Sequence, residues 1–392
     1  MNIFSKYILW ILSLFILTNF FLYIFIFLFH IAIPFNSTIY ISGAHHYVTD
    51  PRVHKGKFDF LRSLGAFDAQ WYLRITDKGY PKHPKIIDIS QVKFMDGLNY
   101  AFFPLYSSLV SLPNHLIHNS ELSAFSIGNL FLIINFFSLY YVVTKYYSSN
   151  IAIKTIFLLF LYPFSIFYRS YFTEGLYLFL LLWFSYALFK QKWFLSAICL
   201  GFLNITKGNG FLINVFFLYL LWKCVFQYKI SWAKAGIITL TIFLPFLCWI
   251  VFCYIQTGNP LYFYIVRSQW FNQGVFNIFY NTYLVTQFFS LPWHNFLYSK
   301  IDVLSVVIAG FLLYKSKKTL YPVLWWIALC LWLTPLLSTS LMSFSRYQSV
   351  SFPLYIYLAQ ILKGKRFYVV SGIFFAFLLW VSLLFVNWYW IG

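Results

Sequence analysis

Charge is scarce in this chain, and negative charge is the scarcest. Only 9% of the 392 residues are charged, and only nine of them are Asp or Glu. Soluble globular proteins carry about 25% charged residues, so the composition excludes an ordinary soluble domain. With 61% hydrophobic residues and a mean hydropathy of +0.74, the chain is predicted to be a membrane protein that crosses the bilayer many times.

The sequence also lacks the short motifs of several large enzyme classes. It contains no G-x-x-x-x-G-K-[ST] phosphate loop, no H-E-x-x-H, no G-x-S-x-G, and no D-x-D of the nucleotide-sugar transferases. Its five cysteines lack the spacing of a metal site, so they are interpreted as small apolar residues and neither a disulfide nor zinc is predicted. No cofactor and no metal are predicted. The 28 Lys and Arg residues are scattered, which argues against a nucleic-acid partner.

Long apolar runs recur along nearly the whole sequence. About 20 apolar residues cross a bilayer as a helix, and these runs lack the alternation of a membrane β-barrel. The predicted fold is therefore all-α, a polytopic membrane bundle of about eleven helices that forms a single domain over residues 1–392. The predicted spans are Tyr7–Ile33, Ser123–Val143, Ile151–Tyr168, Gly175–Phe189, Trp193–Ile205, Phe211–Phe226, Ala235–Ile255, Ile301–Tyr314, Leu320–Leu337, Val350–Leu362 and Phe367–Val386.

The distribution of basic residues predicts which connections face the cytoplasm. The stretch that starts at Ala101 is interrupted by Pro104 and Pro113 and is predicted to be re-entrant or interfacial. If it does not cross, thirteen basic residues fall in the short connections on one side and five on the other. The basic side should be cytoplasmic. Segment 34–118 then becomes a large external loop with interfacial helices. The five cations on the short external connections outside this loop are Arg169, Lys207, Arg267, Lys300 and Arg346.

Six of the nine acidic residues lie in that external loop, namely Asp50, Asp59, Asp68, Asp77, Asp88 and Asp96. Within FDAQWYLRITDKGY, Phe67–Tyr80, apolar residues at near-helical spacing predict a short amphipathic helix along the membrane surface. Asp68 opens this helix and has two interpretations. It is a helix N-cap, or it is a general base that takes a proton from an acceptor hydroxyl.

A second candidate is Glu174, the only acidic residue between Glu121 and Asp302. It opens an apolar helix, and an ionisable group there is either a headgroup-level charge or a functional one. Of the external cations, one or two are expected to hold a phospholipid-like substrate, because an Arg fork matches a phosphate.

These stretches resemble the family of GPI mannosyltransferase II and its prokaryotic relatives. FDAQWYLRITDKGY followed by YAFFPLY at Tyr100–Tyr106 is similar to the first motif of that family. Four further segments follow in the family's order, namely FYRSYFTEGLYLFLL, TKGNG, TGNPLYF and SRYQSVSFPLYIYLA, and the resemblance covers Phe67 to Ala359. Each motif is weak alone, and five in order are fairly specific. The chain departs from the family's usual residues at Thr76, Thr173, Gly175 and Lys207.

The resemblance implies a membrane glycosyltransferase of the C-type fold (GT-C) and an inverting transfer of mannose from a polyprenyl- or dolichyl-phosphate carrier to a membrane-bound acceptor. Asp68 would be the catalytic base. The donor and substrate would be bound by Glu174, Lys207, Asn209, Arg346 and Tyr347, with Arg346 and Tyr347 at the donor phosphate. Three further residues of the first motif, Trp71, Tyr72 and Asp77, are also candidates for substrate or donor binding.

Alternatives stay open at this point. A GT-C transferase could use another polyprenyl-phosphate sugar, and a lipid-linked sugar transporter is the competing class. A transporter would need polar groups near the bilayer midplane and paired broken helices, which the sequence does not show. The expected location is the inner membrane of a prokaryotic cell or the endoplasmic reticulum of a eukaryotic one, with the site on the external or lumenal face.

Overall fold

The computed structural model describes residues 3–43, 47, 49–84, 96–271, 278–293, 299–338 and 340–391, apart from the side chains of 3–8, 42, 43, 96, 209 and 268–271. In this part the chain is helical and contains no strand, as the composition predicted.

The described α-helices are numbered in chain order. The first six are α1 (Ile3–Phe29), α2 (Ser37–Gly43), α3 (Arg52–Lys55), α4 (Phe60–Ser63), α5 (Ala69–Lys78) and α6 (Pro104–Ile117). The next six are α7 (Ser120–Tyr146), α8 (Ser149–Phe160), α9 (Glu174–Phe189), α10 (Trp193–Asn204), α11 (Phe211–Phe226) and α12 (Trp232–Thr257). The last seven are α13 (Tyr262–Phe271), α14 (Ile278–Thr286), α15 (Lys300–Ser316), α16 (Pro322–Leu336), α17 (Phe344–Gln348), α18 (Phe352–Ile361) and α19 (Lys365–Val386).

Four of the described helices are long and apolar enough to cross a membrane, namely α1, α7, α12 and α19. Six more are apolar but shorter, α8, α9, α10, α11, α16 and α18. Each predicted span contains a described helix, and the number of true spans stays a prediction. The run Ile151–Tyr168 differs from its prediction, because α8 ends at Phe160 and a 3-10 turn, Pro163–Tyr168, follows. Pro163 lacks the N–H that would continue the helix.

The connections between helices gather at two ends of the bundle. At one end, Tyr146, Phe189 and Tyr321 pack ring to ring, with centroids 4.3 Å apart for Tyr146 and Phe189 and 5.4 Å apart for Tyr146 and Tyr321. These residues lie at the α7–α8, α9–α10 and α15–α16 connections. Glu174, which opens α9, lies at the other end, here named the site end. The alternation of the predicted spans agrees with this arrangement.

Helix α6 begins and ends beside α5. Near its start, Ser107 Oγ donates to the Tyr72 carbonyl oxygen at 3.0 Å, and further along Asn114 Nδ2 donates to Asp77 Oδ1 at 3.0 Å. The next helix starts at the same place, since Ser120 Oγ donates to Asp77 Oδ2 at 2.9 Å. The two helices α5 and α6 therefore lie together at the site end, ahead of the long helix α7.

The C-terminal residues anchor the loop that precedes α5. Arg52 pairs with Asp50 at 2.7 Å and donates to the side chain of Asn387 at 2.6 Å. Trp388 Nε1 donates to Asp50 Oδ2 at 3.2 Å. The ring of Phe67 packs against Trp388 and Trp390, at centroid distances of 5.0 and 4.9 Å. The far end of the chain thus fixes the backbone immediately before Asp68.

Candidate functional site

A buried charge cluster occupies the site end, with Glu174 at its centre. Glu174 Oε1 accepts hydrogen bonds from Lys207 Nζ and from Arg346 Nε, both at 2.6 Å. The Glu174 side chain is 1% exposed and that of Arg346 5%. The three residues come from the start of α9, the turn between α10 and α11, and the short helix α17, so the fold brings together positions that are up to 172 residues apart.

Asp68 lies at the open side of this cluster. Its Oδ2 is 3.9 Å from Arg346 NH1, and its side chain is 28% exposed. Asp68 occupies the N-cap position of α5, but its side chain makes no capping hydrogen bond. The N-cap position predicted for Asp68 is confirmed, whereas its side chain does not act as the cap. Asp68 is the most exposed carboxylate of the cluster, which places it where a substrate hydroxyl can approach.

The backbone is strained just before each of two charged groups. Phe67 has a φ of +57° and precedes Asp68, whereas Ser343 has a φ of +64° and precedes the helix that carries Arg346. A left-handed conformation at a residue other than glycine costs about 1–3 kcal/mol and concentrates at functional sites. The aromatic packing of Phe67 compensates for this cost and fixes the direction in which the chain enters α5.

Arg346 is held from two sides. Its guanidinium lies over the rings of Phe167 and Phe172, at 4.5 and 4.3 Å from their centroids. The neighbouring Ser345 donates its backbone N–H and its hydroxyl to Asp302 Oδ1, at 3.0 and 2.8 Å. Asp302 is 4% exposed, and α15 carries it. This carboxylate fixes α17 and thereby the position of Arg346.

A small cavity opens beside the cluster and is lined by Glu174, Tyr177, Lys207, Arg346, Tyr347 and Val350. Two buried polar atoms of this lining, Glu174 Oε2 and the Tyr177 hydroxyl, have no hydrogen-bond partner among the described residues. Buried polar atoms are normally paired, so both are ready to bind a ligand hydroxyl or water. One is an acceptor and the other can donate, which suits a water molecule or a single hydroxyl group.

Lys207 is the titratable cation of the cluster. Burial, reinforced by the positive charge of Arg346, lowers the pKa of Lys207 from 10.5 to about 8, although Glu174 acts in the opposite direction. The ammonium also lies over the ring of Tyr347, 4.3 Å from its centroid. The charge of Lys207 is therefore lost within a pH range that an enzyme assay can cover.

Of the predicted site residues on α5, Asp77 lies away from the cluster. It stands nine residues beyond Asp68, about 14 Å along the helix axis, and it accepts hydrogen bonds from the side chains of Tyr47, Asn114 and Ser120. Trp71 and Tyr72 are buried, at 3% and 6% exposed. Tyr72 lies next to the cluster, because the charges of Glu174, Arg346 and Asp68 act on its phenol.

The YAFFPLY segment covers both of these aromatic residues, since the Phe102 ring packs on each of them. Trp71 and Tyr72 thus contact protein rather than the membrane surface or an open cleft. Asn209 lies in the 3-10 turn Gly208–Gly210, and its side chain is outside the described residues.

The other acidic residues of the loop have structural partners where they are described. Asp50 pairs with Arg52, and Asp59 caps α4 by accepting from the Arg62 N–H. Asp88 lies outside the described residues, as does the side chain of Asp96. Of the four Asp side chains described in the loop, Asp68 is thus the one that faces the cluster.

One residue of the site was not singled out from the sequence. Asp302 is the last acidic residue of an apolar chain, so the rarity that identified Glu174 also applied to it. Among the described residues, no group of three or more His, Cys, Asp or Glu side chains is arranged to hold a metal ion.

No family model matches the chain, and no curated protein matches it.

Proposed function

We propose that this protein is a membrane-embedded glycosyltransferase that moves mannose from a polyprenyl-phosphate carrier to a hydroxyl of a membrane-bound acceptor. The observation that carries the proposal is the position of Asp68. It is the partly exposed carboxylate at the edge of a buried cluster of two cations and a second carboxylate, and it does not cap its own helix. A carboxylate so placed is suited to take a proton from an entering hydroxyl.

The convergence of the motif segments supports this assignment. Asp68, Glu174, Lys207 and Arg346 come from four separate motifs of the GPI mannosyltransferase II resemblance, and they form a single cluster. The YAFFPLY and TGNPLYF segments pack against each other, because Tyr100 contacts Tyr262 with ring centroids 5.1 Å apart. The Phe103 ring of YAFFPLY also lies beside Gly208 of the TKGNG turn. Six segments that are separate in the sequence thus meet at one end of the bundle.

The reaction is an inverting displacement. Asp68 takes the proton of the acceptor hydroxyl while the oxygen attacks the anomeric carbon of the donor mannose. The bond from that carbon to the phosphate oxygen breaks, and polyprenyl phosphate leaves with the electron pair. Phosphate is a good leaving group, so positioning of the reactants and stabilisation of charge supply most of the acceleration.

Each residue of the cluster then has a distinct task. Glu174 neutralises Lys207 and Arg346, and Arg346 in turn orients Asp68. Glu174 Oε2 and the Tyr177 hydroxyl, which have no partner among the described residues, are suited to bind a water molecule or a single ligand hydroxyl beside the cluster. The lipid tail of the donor would lie against the apolar helices, with the reacting groups at the external or lumenal face.

The test is transfer of radiolabelled mannose from synthetic polyprenyl-phosphate-mannose into lipid extracts of the host. Purified wild type should label a lipid or glycan product, and an Asp68→Asn variant should not. Parallel reactions with polyprenyl-phosphate-glucose and with GDP-mannose identify the donor. Transfer from GDP-mannose alone, or no transfer from any donor in the presence of native lipids, would contradict the proposal.

A further inference from the structure

The charges of the cluster cancel without any substrate. Asp68 and Glu174 contribute two negative charges, and Lys207 and Arg346 contribute two positive ones. Both cations already pair with a carboxylate, since Lys207 and Arg346 each lie 2.6 Å from Glu174 Oε1. A phosphodiester donor carries one further negative charge, so the site needs one more cation to bind it.

Five cations are predicted on the short external connections outside segment 34–118, and four of them already have contacts within the protein. Arg169 is 1% exposed and donates to Asn19 Oδ1 and the Ser165 carbonyl, so it is enclosed within the bundle. Lys300 begins α15 and lies over the rings of Phe288 and Trp293. Lys207 and Arg346 belong to the cluster, which leaves Arg267.

Arg267 is exposed on α13 and reaches the turn that carries Lys207. Its NH1 lies only 3.0 Å from where a Cβ would stand on Gly208, and the ring of Phe103 lies 3.7 Å from the same point. Glycine at 208 therefore provides the space that the guanidinium occupies. The positive charge of Arg267 also acts on the Tyr347 phenol of the cavity lining.

No described carboxylate forms an ion pair with Arg267. An exposed guanidinium with no carboxylate partner in the described part of the chain, beside a cluster of zero net charge, is suited to an anion that arrives from outside. A planar guanidinium binds phosphate oxygens through two parallel N–H groups. Because Arg267 lies over Gly208, such an anion would bind beside the turn that carries Lys207.

We propose that Arg267, seated over Gly208, binds the phosphate of a lipid-linked phosphate substrate, and that Arg346 serves instead to orient Asp68. This inference rests on the proposed function for the identity of the lipid, and the binding chemistry is that of a phosphate ester. Arg267 is thus a binding residue. Its positive charge balances the negative charge of the bound phosphodiester, so the occupied site is neutral.

The test uses the full-length protein purified in detergent and measures binding rather than turnover. The probe is synthetic polyprenyl phosphate, with uncharged polyprenol of the same length and phosphatidylglycerol as comparison ligands. Four proteins are compared: wild type, Arg267→Gln, Gly208→Ala, and Lys300→Gln as a matched cation in the same region. Mannose transfer by the wild type is measured on the same preparation.

Arg267→Gln should weaken polyprenyl phosphate binding about 10- to 100-fold, as expected for a lost charge-assisted hydrogen bond, and leave polyprenol binding unchanged. Gly208→Ala should weaken it about threefold, because the new methyl group displaces only the end of a flexible side chain. Lys300→Gln should bind like wild type. A Kd for polyprenyl phosphate that is equal in Arg267→Gln and wild type would overturn the inference.

Loss of phosphatidylglycerol binding to the same extent would also overturn it, since Arg267 would then be a general headgroup anchor. The two proposals fail separately. If wild type transfers mannose while Arg267→Gln binds polyprenyl phosphate normally, the inference fails and the proposed function stands. If Arg267 governs polyprenyl phosphate binding but no mannose is transferred, the proposed function fails and the phosphate site stands.

Discussion

Asp68 and Asp77 stand at opposite ends of the same ten-residue helix, and their surroundings differ completely. Asp77 accepts hydrogen bonds from a tyrosine, an asparagine and a serine that come from three separate segments, so it ties α5 to its neighbours. Asp68 makes no capping bond and instead lies 3.9 Å from a buried arginine. The same residue type on one helix is thus structural at one end and directed at a charged site at the other.

The largest expected effect comes from exchanging each of these carboxylates for its amide. Asp68→Asn should lower the rate of mannose transfer by at least about 10³-fold, because an amide cannot accept the proton. Asp77→Asn keeps one acceptor oxygen and should stay within about threefold of wild type. Initial rates measured at saturating donor compare the two, with thermal unfolding to show that both fold. An equal loss of transfer rate in both variants would show that Asp68 and Asp77 do not differ in function.

The second prediction concerns what keeps the Asp68 end in place. Glu174→Gln leaves Lys207 and Arg346 buried without their shared counter-charge, and breaking a buried pair in this way costs about 3–5 kcal/mol. The melting temperature in detergent should fall clearly, and transfer should fall with it. Glu121→Gln is the matched control, because Glu121 forms only a partly exposed pair with Arg62 at 3.5 Å. A Glu174 variant as stable as the control would show that the cluster does not support the bundle.

A third, smaller effect tests whether Arg346 orients Asp68. Asp302→Ala removes the acceptor of the Ser345 N–H and hydroxyl, so α17 should shift and move Arg346. Because Asp68 is then less well positioned, kcat should fall about tenfold. Asp302→Asn retains an acceptor oxygen towards Ser345 and should restore most of the rate. A merely structural role would lower the melting temperature in both variants and leave kcat of the folded fraction unchanged.

The smallest effect is a dependence on pH. Because the pKa of Lys207 is lowered to about 8, its ammonium is charged below that pH and neutral above it. The cluster then changes from zero to negative net charge as the pH rises, and KM for the anionic donor should rise several-fold. Lys207→Arg should flatten this alkaline limb, since arginine keeps its proton up to pH about 12. If KM rises with pH in the same way in both proteins, the pH dependence comes from a group other than Lys207.

The sequence alone identified the acidic loop, the short helix within it, and four members of the charge cluster. Rarity made this possible, because a carboxylate or cation in an apolar chain stands out before any fold is known. Asp68, Glu174, Lys207 and Arg346 were all candidates on that basis or by motif, and the fold brings them together.

Partners across the fold were not predictable in the same way. Asp77 and Asp68 are the same residue type on the same short helix, so the sequence did not distinguish their roles. The partners of Asp77, namely Tyr47, Asn114 and Ser120, are 30 to 43 residues away in the sequence. Trp71 and Tyr72 fitted a membrane surface by their amphipathic spacing, whereas the later YAFFPLY segment buries them.

The central claim is that Asp68 performs chemistry and does not bind the donor. Its most direct test is a paired measurement on purified Asp68→Asn: the Kd for polyprenyl-phosphate-mannose, and single-turnover transfer to acceptor lipid. The account predicts a Kd within about threefold of wild type, since a carboxylate does not attract the anionic phosphate, together with undetectable transfer. Transfer at the wild-type rate, or loss of donor binding in parallel with transfer, would contradict the assignment of Asp68 as the base.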